Sequence, residues 1–457
     1  MFTADFIDSI MPNVCSYYDF MYRLFNLIYI FIGQISIHYS KNLFNICLQK
    51  PKLERLQLIK NIASKLEKSN IVYVKIFQSL SIDGNLLYDD ESEFLMKYLD
   101  NVPYNSDVID YDLLEKIKDE YNIILESSVP INAGIVSIVF NATYNSKKVV
   151  IKMLKKDINV KLTNVFEELE VLVKFLKYLP FIKEFNFDRI IDSNKDLLLN
   201  QTNFITEYNN IITFKNKLSN NPEYVIPHVY DITSKYPTLL IMENIKGLTY
   251  NDIIDYDPEI KDIFGKILYK LGIIGNVFHN AIHCDLHAGN VFFYINDDSN
   301  SDDKNSNEEI KKPKYQIGII DFGIVMFPTN EKQDAYYKFF FEMQLKKDYT
   351  NIEYVINSIV EEKNIYMSME NPKKLLFNND VVNVIKKTSE KLDITFFYEL
   401  SKTFNKYNFH FSSNFNTLCL SLQMVQKLGL NLCKSCIDTQ NEILSELLEL
   451  NNLIEIE

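Results

Sequence analysis

The segment 283–290 reads HCDLHAGN and is followed, after a long polar insert, by the tripeptide DFG at 321–323. Together they bring two carboxylates, Asp285 and Asp321, an amide, Asn290, and two imidazoles, His283 and His287. Residues of these types serve in metal sites, in phosphoryl-transfer sites and in ordinary polar loops. The spacing leaves these three possibilities open, so the rest of the machinery must be sought elsewhere in the chain.

A zinc site is the least supported of the three. His283 and His287 have a spacing found in helical zinc sites, but they lie in a loop and no third ligand is evident. Cys433 and Cys436 have zinc-knuckle spacing without a second pair, and the six cysteines are dispersed, as is typical of reduced thiols inside a cell. We expect the histidines to hold the loop by hydrogen bonds and the cysteine pair to be buried in a helix.

A magnesium–nucleotide site needs cations for the phosphates, oxygen ligands for the metal and a carboxylate beside the attacking group. The chain supplies such groups in the order used by protein-kinase-type sites. Lys152 belongs to the strand-like VVIK, and Glu207 lies on the polar side of a following helix. With Asp285, these two form the expected catalytic set. Asn290 and Asp321 are the expected Mg²⁺ ligands, which makes ATP and Mg²⁺ the expected cofactors.

The hairpin expected over the phosphates departs from the glycine-rich pattern G-x-G-x-x-G-x-V. Its frame reads NAGIVSIV over 132–139, so one glycine of three remains. A side chain in place of glycine restricts how closely backbone amides approach a phosphate, and phosphate binding is expected to differ from that of ordinary kinases. The expected nucleotide-binding positions are Asn132, Ala133, Gly134, Ser137 and Val139.

Hydrophobic periodicity predicts the elements that position these residues. Strand patterns flank the turn YNSKK between 129 and 152, and a second hairpin is predicted from 291–295 and 315–320. The polar tract between the last two strands, near 296–313, is expected to be disordered. The buried strand 237–244 should offer adenine the backbone groups of Met242, Glu243 and Asn244. Helices are predicted at 52–75, 157–183, 196–217 and 259–281, with an all-helical tail over 330–457.

The net charge of -13 argues against a nucleic-acid-binding surface as the main function. Residues 20–39 are strongly apolar and aromatic, but Arg23, Asn26, Gln34 and His38 interrupt them. A helix packed on the domain, an interfacial membrane helix and a membrane span all stay open. The first residues have neither signal-peptide nor transit-peptide character, so we expect an intracellular location, with membrane association as an open alternative.

The chain resembles the UbiB/ADCK family of atypical protein-kinase-like proteins over about residues 52–330. PINAGIVSIV, 130–139, is similar to the family's alanine-rich loop, and HCDLHAGN is close to its H-x-D-x-H-x-G-N motif. YVKIFQSLS, 73–81, resembles the K-x-G-Q helix that precedes the kinase core and folds over the active site. The resemblance places Lys75 and Gln78 at signature positions, as further residues of the nucleotide site.

Two departures from the family pattern concern shape and charge. The K-x-G-Q glycine is Phe77, and the family's E-x-D motif is replaced by QTN, with Gln201 and Asn203. The two amides accept hydrogen bonds but carry no charge, so the contact expected between Lys75 and this motif is weakened. The departures put family-style autoinhibition in doubt more than nucleotide binding.

The resemblance implies an α+β, two-lobed kinase-like fold and ATPase or phosphoryl-transfer activity linked to membranes, lipid homeostasis and ubiquinone biosynthesis. The expected partners are a nucleotide and a membrane lipid or isoprenoid-type lipid. The expected organisation is an apolar N-terminal segment at 1–50, a helical extension at 51–128, an N-lobe at 129–245 and a C-lobe at 246–457.

Two other functions stay open. A small-molecule phosphotransferase of the aminoglycoside or choline-kinase type shares H-x-D-x-x-x-x-N, although the segment around Lys75 and the full DFG argue against it. A nucleotide-gated scaffold with weak turnover is compatible with the altered loop and the lost E-x-D charges. Fold alone does not decide between these functions.

Overall fold

The structure is a computed structural model that describes residues 4–51, 54–70, 72–73, 90, 94, 104–176, 191, 195, 198–277, 279–296, 313–388, 394–433, 442–443 and 446. The chain folds as two compact units. The first comprises Met1–Phe204 and Tyr230–Ile241, and the second comprises Ile205–Val229 and Met242–Glu457. Lys75, Gln78, Cys436 and most of the insert predicted to be disordered lie outside the described residues. The boundaries predicted at residues 50, 128 and 245 stay predictions.

Two helices begin the first unit, α1 at Ala4–Cys47 and α2 at Arg55–Ser69. One stripe of α1 is buried and contains Leu24, Leu27, Ile30, Gln34 and His38. The opposite stripe is exposed and contains Tyr22, Phe25, Tyr29 and Ile32. Within the described residues, one helical stretch, Phe20–Cys47, is long and apolar enough to cross a membrane. The membrane interpretations of this helix stay predictions.

The middle of the chain alternates short strands with helices. Its elements are α3 (Tyr111–Tyr121), β1 (Ile124–Leu125), β2 (Asn132–Ala133), β3 (Ser137–Tyr144), β4 (Lys147–Leu154), α4 (Ile158–Leu176), α5 (Phe204–Lys217), β5 (Tyr224–Val225), β6 (Val229–Tyr230) and β7 (Leu239–Glu243). A sheet with the order β1-β3-β4-β7-β6 carries β2 as an extra partner of β3. Buried apolar side chains of β3 and β4, among them Ile138, Phe140 and Ile151, form part of the core of the first unit.

The β3–β4 hairpin confirms the predicted strand, turn and strand. Asn145 and Ser146 have φ values of 48° and 62°. They join the paired residues Tyr144 and Lys147. Positive φ at both positions is the geometry of a two-residue turn whose twist matches that of the flanking strands. The turn therefore fixes the register, which pairs Lys152 with Val139.

The helix predicted at 196–217 is wrong at its start, because α5 begins at Phe204. Residues 198–200 are helical, but a turn follows at 201–202. The Thr202 hydroxyl donates to the Leu199 carbonyl at 2.8 Å. Asn203 N donates to the Asn200 carbonyl at 3.0 Å. Short polar side chains that bond to nearby backbone groups compete with a continuous helix, and the QTN segment forms such an interruption.

The second unit continues with short strands between helices. Its elements are α6 (Tyr250–Ile254), α7 (Pro258–Val277), β8 (Ile282–His283), β9 (Val291–Ile295), β10 (Tyr315–Ile319), β11 (Val325–Met326), α8 (Asn330–Tyr337), a π-helix (Lys338–Leu345), α9 (Ile352–Ile359), α10 (Lys363–Met367), α11 (Asn371–Thr388), α12 (Ile394–Lys406) and α13 (Ser413–Leu430). The predicted β9–β10 hairpin and the predicted helical tail are confirmed in these residues. An aromatic-rich core, with Phe339, Phe377 and Phe404 among its members, holds the C-terminal helices together.

The predicted helix 259–281 ends at Val277, and the chain turns sharply into β8. Asn280 has a φ of 50°, and the N–H of Ala281 donates to the Gly275 carbonyl at 2.9 Å. A Cβ at Gly275 would lie 2.5 Å from the Ala281 carbonyl oxygen, so this close return of the backbone needs glycine. The turn places His283, and therefore the whole HCDLHAGN segment, directly after the helix.

Candidate active site

The β9–β10 hairpin positions the two expected metal ligands. Val291 pairs with Ile319 in the antiparallel register, and the N–H of Ile320 donates to the Asn290 carbonyl at 3.0 Å. Asn290 thus lies at the start of one strand, and Asp321 follows the end of its partner strand. A local β-hairpin therefore brings together residues that are far apart in the sequence.

His283 connects the catalytic loop to the DFG turn. Its Nε2 lies 2.7 Å from the Asp321 carbonyl oxygen, and its Nδ1 lies 3.3 Å from the N–H of Asp285. A neutral ring with hydrogen on Nε2 satisfies both contacts. Burial lowers the pKa of His283, against the opposing effect of the nearby carboxylates, which agrees with a neutral ring.

The loop is closed by bonds to the backbone of Asp285. The Asn290 side-chain Nδ2 donates to the Asp285 carbonyl at 2.9 Å, and the N–H of His287 donates to the same oxygen at 3.1 Å. His287 Nδ1 in turn accepts the N–H of Gly289 at 3.1 Å. Both histidines therefore make the supporting hydrogen bonds that the sequence predicts.

The oxygen donors of this cluster fit magnesium. Because Nδ2 of Asn290 is engaged by Asp285, the amide oxygen is the atom suited to act as a ligand. Asp321 adds carboxylate oxygens, and Mg²⁺ prefers oxygen ligands of these kinds. No group of three or more His, Cys, Asp or Glu side chains within the described ranges is arranged to bind a metal.

Helix α5 carries Glu207, whose side chain is 1% exposed although the sequence places it on the polar side of the helix. Further along α5, the Phe214 ring makes edge contacts with Phe322 at 5.2 Å and with His283 at 6.2 Å. The helix therefore packs on the DFG phenylalanine. The side of α5 that carries Glu207 is covered by other residues of the protein. Periodicity shows which side of a helix is polar but does not show whether that side is covered.

Lys152 lies in the first unit, on β4. It is 6% exposed, and its Nζ lies 5.6 Å from the centre of the Phe204 ring. A buried lysine needs electrostatic compensation, and an aromatic face supplies part of it. Glu207 belongs to the second unit, so the predicted pair of Lys152 with Glu207 stays a prediction.

The loop between β2 and β3 is closed by a hydrogen bond within the loop. The N–H of Gly134 donates to the Ser137 carbonyl at 2.9 Å. A Cβ at Gly134 would meet only ordinary contacts, at 3.7 Å from that carbonyl and 3.8 Å from the Ser137 hydroxyl. Asn132 pairs with Val139, and Ala133 pairs with Ile138. The N–H of Gly134 is therefore already engaged within the loop, and phosphate binding that differs from that of ordinary kinases stays a prediction.

At the end of β7, where adenine is expected to bind, some backbone groups already make hydrogen bonds within the protein. The N–H of Glu243 donates to the His228 carbonyl at 2.7 Å, and the Glu243 carbonyl accepts from the N–H of Ile245 at 3.1 Å. Met242 is buried at this point of β7. Adenine contacts by Met242, Glu243 and Asn244 stay predictions, and the Glu243 N–H already donates to the His228 carbonyl.

Lys155, which follows β4, gives a pH-dependent prediction. Burial lowers the pKa of Lys155 to about 8, with nearby Lys161 adding to the effect. The unfolded chain therefore binds more protons between about pH 8 and 10.5, and the free energy of unfolding rises with pH through that window. Lys155→Met should raise the free energy of unfolding at pH 7 by about 1–3 kcal/mol and remove this slope. Denaturant unfolding at pH 7 and pH 10 checks both effects, with exposed Lys156→Met as the control.

Several contacts of the site have no sequence signal. The hydroxyl of Ser421, on α13, donates to the His283 carbonyl at 2.8 Å. The side-chain Nδ2 of Asn210, on α5, donates to the Phe322 carbonyl at 2.9 Å. Both supports come from distant parts of the chain, so residue spacing could not have indicated them.

The catalytic-loop spacing, the DFG turn and the buried strand lysine together define a kinase-like class of protein. The model of the ABC1 atypical kinase-like domain family matches residues 99–356, more than half of the chain. The chain therefore belongs to this family, which confirms the kinase-like α+β fold and the resemblance to UbiB proteins.

Curated relatives include a protein of Shewanella baltica named "Probable protein kinase UbiB", 27% identical over 72% of this chain and 57% of the relative. A protein of the same name from Shewanella oneidensis is 28% identical over 71% of this chain and 57% of its own length. The chain thus spans just over half the length of these relatives. A solved structure, the complex of Rv3197 with erythromycin from Mycobacterium tuberculosis, covers 79% of this chain and 87% of its own at 15% identity, with a TM-score of 0.42.

Proposed function

We propose that this protein binds a magnesium–nucleoside triphosphate and slowly transfers or hydrolyses its terminal phosphoryl group. One observation carries the proposal: in the second unit, hydrogen bonds join Asp285 and Asn290 within one loop and join that loop, through His283, to Asp321. These are the groups that a phosphoryl-transfer site needs for its nucleophile and its metal.

The chain's own residues take separate duties in this proposal. Lys152 binds the α- and β-phosphates and is oriented by Glu207. Both side chains are almost fully buried, and a buried charge is retained where an opposite charge or a charged ligand compensates for it. Their burial supports these roles over those of solvated surface residues.

Asn290 and Asp321 hold the metal, and Asp285 orients or deprotonates the attacking hydroxyl or water. When bound, Mg²⁺ supplies positive charge that neutralises the phosphate oxygens. The β2–β3 loop covers the phosphates with fewer available amides than a glycine-rich loop. This deficit is expected to make turnover slow.

The membrane part of the proposal depends on α1 and on the relatives. The exposed apolar stripe of α1 supports attachment to a membrane surface. The relatives' name and the family resemblance support a role in lipid or ubiquinone metabolism, with a membrane or isoprenoid-type lipid as the partner.

Phosphate release by the purified full-length chain tests the proposal. Release from Mg-ATP should be slow in solution, increase with vesicles that contain phosphatidylglycerol, and increase less with phosphatidylcholine alone. Asp285→Asn should lower both rates by about 10²–10⁴-fold. Efficient phosphorylation of a small alcohol would instead favour the small-molecule phosphotransferase. ATP binding without release under every condition would favour the scaffold, which the Gly134–Ser137 bond keeps open.

A further inference from the structure

Asp321 has a strained backbone that its neighbours must hold. Its φ is 61°, in the left-handed region, which a residue with a Cβ adopts at an energetic cost. Such a conformation persists where surrounding contacts determine it. The His283 ring fixes the Asp321 carbonyl, but that contact leaves the direction of the carboxylate open.

The carboxylate of Asp321 accepts a hydrogen bond from the peptide group that joins Phe322 to Gly323. The N–H of Gly323 donates to Asp321 Oδ1 at 3.2 Å. This N–H belongs to the peptide that joins Phe322 to Gly323, and the carbonyl of the same peptide accepts Asn210 Nδ2 at 2.9 Å. A peptide group is planar, with its N–H and carbonyl pointing in opposite directions. Fixing the carbonyl therefore also fixes the N–H that contacts Asp321.

Asn210 is carried by the helix that also carries Glu207. The two residues are three positions apart on α5, and the Phe214 ring, one turn further on, contacts the Phe322 ring at 5.2 Å. Helix α5 thus holds Phe322 by its ring and by its carbonyl. A shift of α5 would move the Phe322–Gly323 peptide and, with it, the carboxylate of Asp321.

We propose that Asn210 is a positioning residue, which holds the Phe322–Gly323 peptide and thereby directs the Asp321 carboxylate according to the position of α5. The proposal rests on the proposed function only where it makes Asp321 a Mg²⁺ ligand. The contact itself requires an amide donor at position 210, since two carbonyl-type oxygens repel each other.

This donor role differs measurably from a packing role. Asn210→Asp keeps the side-chain volume but places a carboxylate oxygen against the Phe322 carbonyl. Asn210→Ala removes the donor without adding repulsion. A donor role therefore predicts that the Phe322–Gly323 peptide is held most firmly in wild type, less firmly in Asn210→Ala and least firmly in Asn210→Asp. A packing role predicts that Asn210→Asp holds this peptide about as firmly as wild type does. Asn209→Asp makes the same chemical change on the exposed side of α5 and serves as the control.

Hydrogen exchange at the Gly323 amide, without metal or nucleotide, provides the test. Exchange should rise about tenfold in Asn210→Ala and further in Asn210→Asp, and stay unchanged in Asn209→Asp. Circular dichroism establishes that each variant is folded. Unchanged exchange in both Asn210 variants, or aspartate equal to wild type, would overturn the proposal.

A second measurement separates this inference from the proposed function. The Mg²⁺ concentration that half-maximally enhances binding of a fluorescent ATP analogue should rise about tenfold in Asn210→Ala, with metal-free nucleotide affinity retained. If wild type binds no nucleotide while exchange follows the expected order, the proposed function fails and the positioning role stands. If wild type binds Mg-ATP and exchange does not change, the positioning role alone fails.

Discussion

Asp321→Asn should remove the Mg²⁺ dependence of nucleotide binding, with a loss of about 100-fold or more in affinity for Mg-ATP. Asp321→Asn removes the negative charge of the side chain and keeps nearly the same side-chain shape. Asparagine tolerates a positive φ at least as well as aspartate, and its side-chain oxygen can still accept the Gly323 N–H. The DFG turn should therefore keep its conformation while the metal loses an anionic ligand.

Nucleotide titrations with Mg²⁺ and with EDTA measure this effect. Metal-free affinity should change little, because the lost interaction belongs to the metal. Asp255→Asn, at an exposed position after α6, controls for the general effect of removing a negative charge. An Asp321→Asn protein with full Mg²⁺-dependent affinity would show that Asp321 is no ligand.

Asp285→Asn should lower the rate of phosphoryl transfer or hydrolysis by about 10²–10⁴-fold while nucleotide affinity stays within a few-fold of wild type. The loop bonds near this residue involve its main chain: its carbonyl accepts from Asn290 and His287, and its N–H contacts His283. Replacing the carboxylate with an amide therefore leaves those contacts in place. The variant loses only the group that orients or accepts a proton from the nucleophile.

Single-turnover phosphate release, measured beside nucleotide affinity, distinguishes the chemical step from binding. An equal fall in affinity and rate would mean that Asp285 contributes to ground-state binding instead of chemistry. An unchanged rate would remove Asp285 from the mechanism and favour a role in holding the loop alone.

Local patterns predicted the parts of the site that one hairpin or one loop builds. The short apolar runs 291–295 and 315–320 predicted the two strands of the hairpin that places Asn290 beside Asp321. Their antiparallel register, and the pairing of β10 with the distant strand β5, became known only from the structure. The loop that holds Asp285 is also local. These elements form largely from neighbouring residues, so the sequence alone describes them well.

The supports of the site come from long-range packing and could not be predicted. Asn210 contacts a carbonyl 112 positions away, and Ser421 contacts one 138 positions away. The buried Glu168 of α4 accepts from Arg23 of α1 at 2.5 Å and from the Tyr73 hydroxyl. Arg23 interrupts an apolar stretch in the sequence, and in the structure it forms an ion pair. Periodicity indicates which face of a helix is apolar and says nothing of its partner.

The start of α5 shows that periodicity can also fail to predict structure formed by neighbouring residues. Its apolar spacing extends across QTN, so periodicity predicted one long helix from 196 to 217. Thr202 instead bonds to the Leu199 carbonyl, and the helix begins after the break. Because the competing bonds are individually weak, their outcome depends on the packing on either side.

Calorimetric titration of ATP into the wild-type chain and into Lys152→Ala and Asp321→Asn, each with and without Mg²⁺, tests the central claim most directly. The account predicts that wild type binds Mg-ATP, that Lys152→Ala weakens binding about tenfold or more in both conditions, and that Asp321→Asn loses only the enhancement by Mg²⁺. Equal nucleotide affinity in all three proteins, or no binding by the folded wild type, would contradict it.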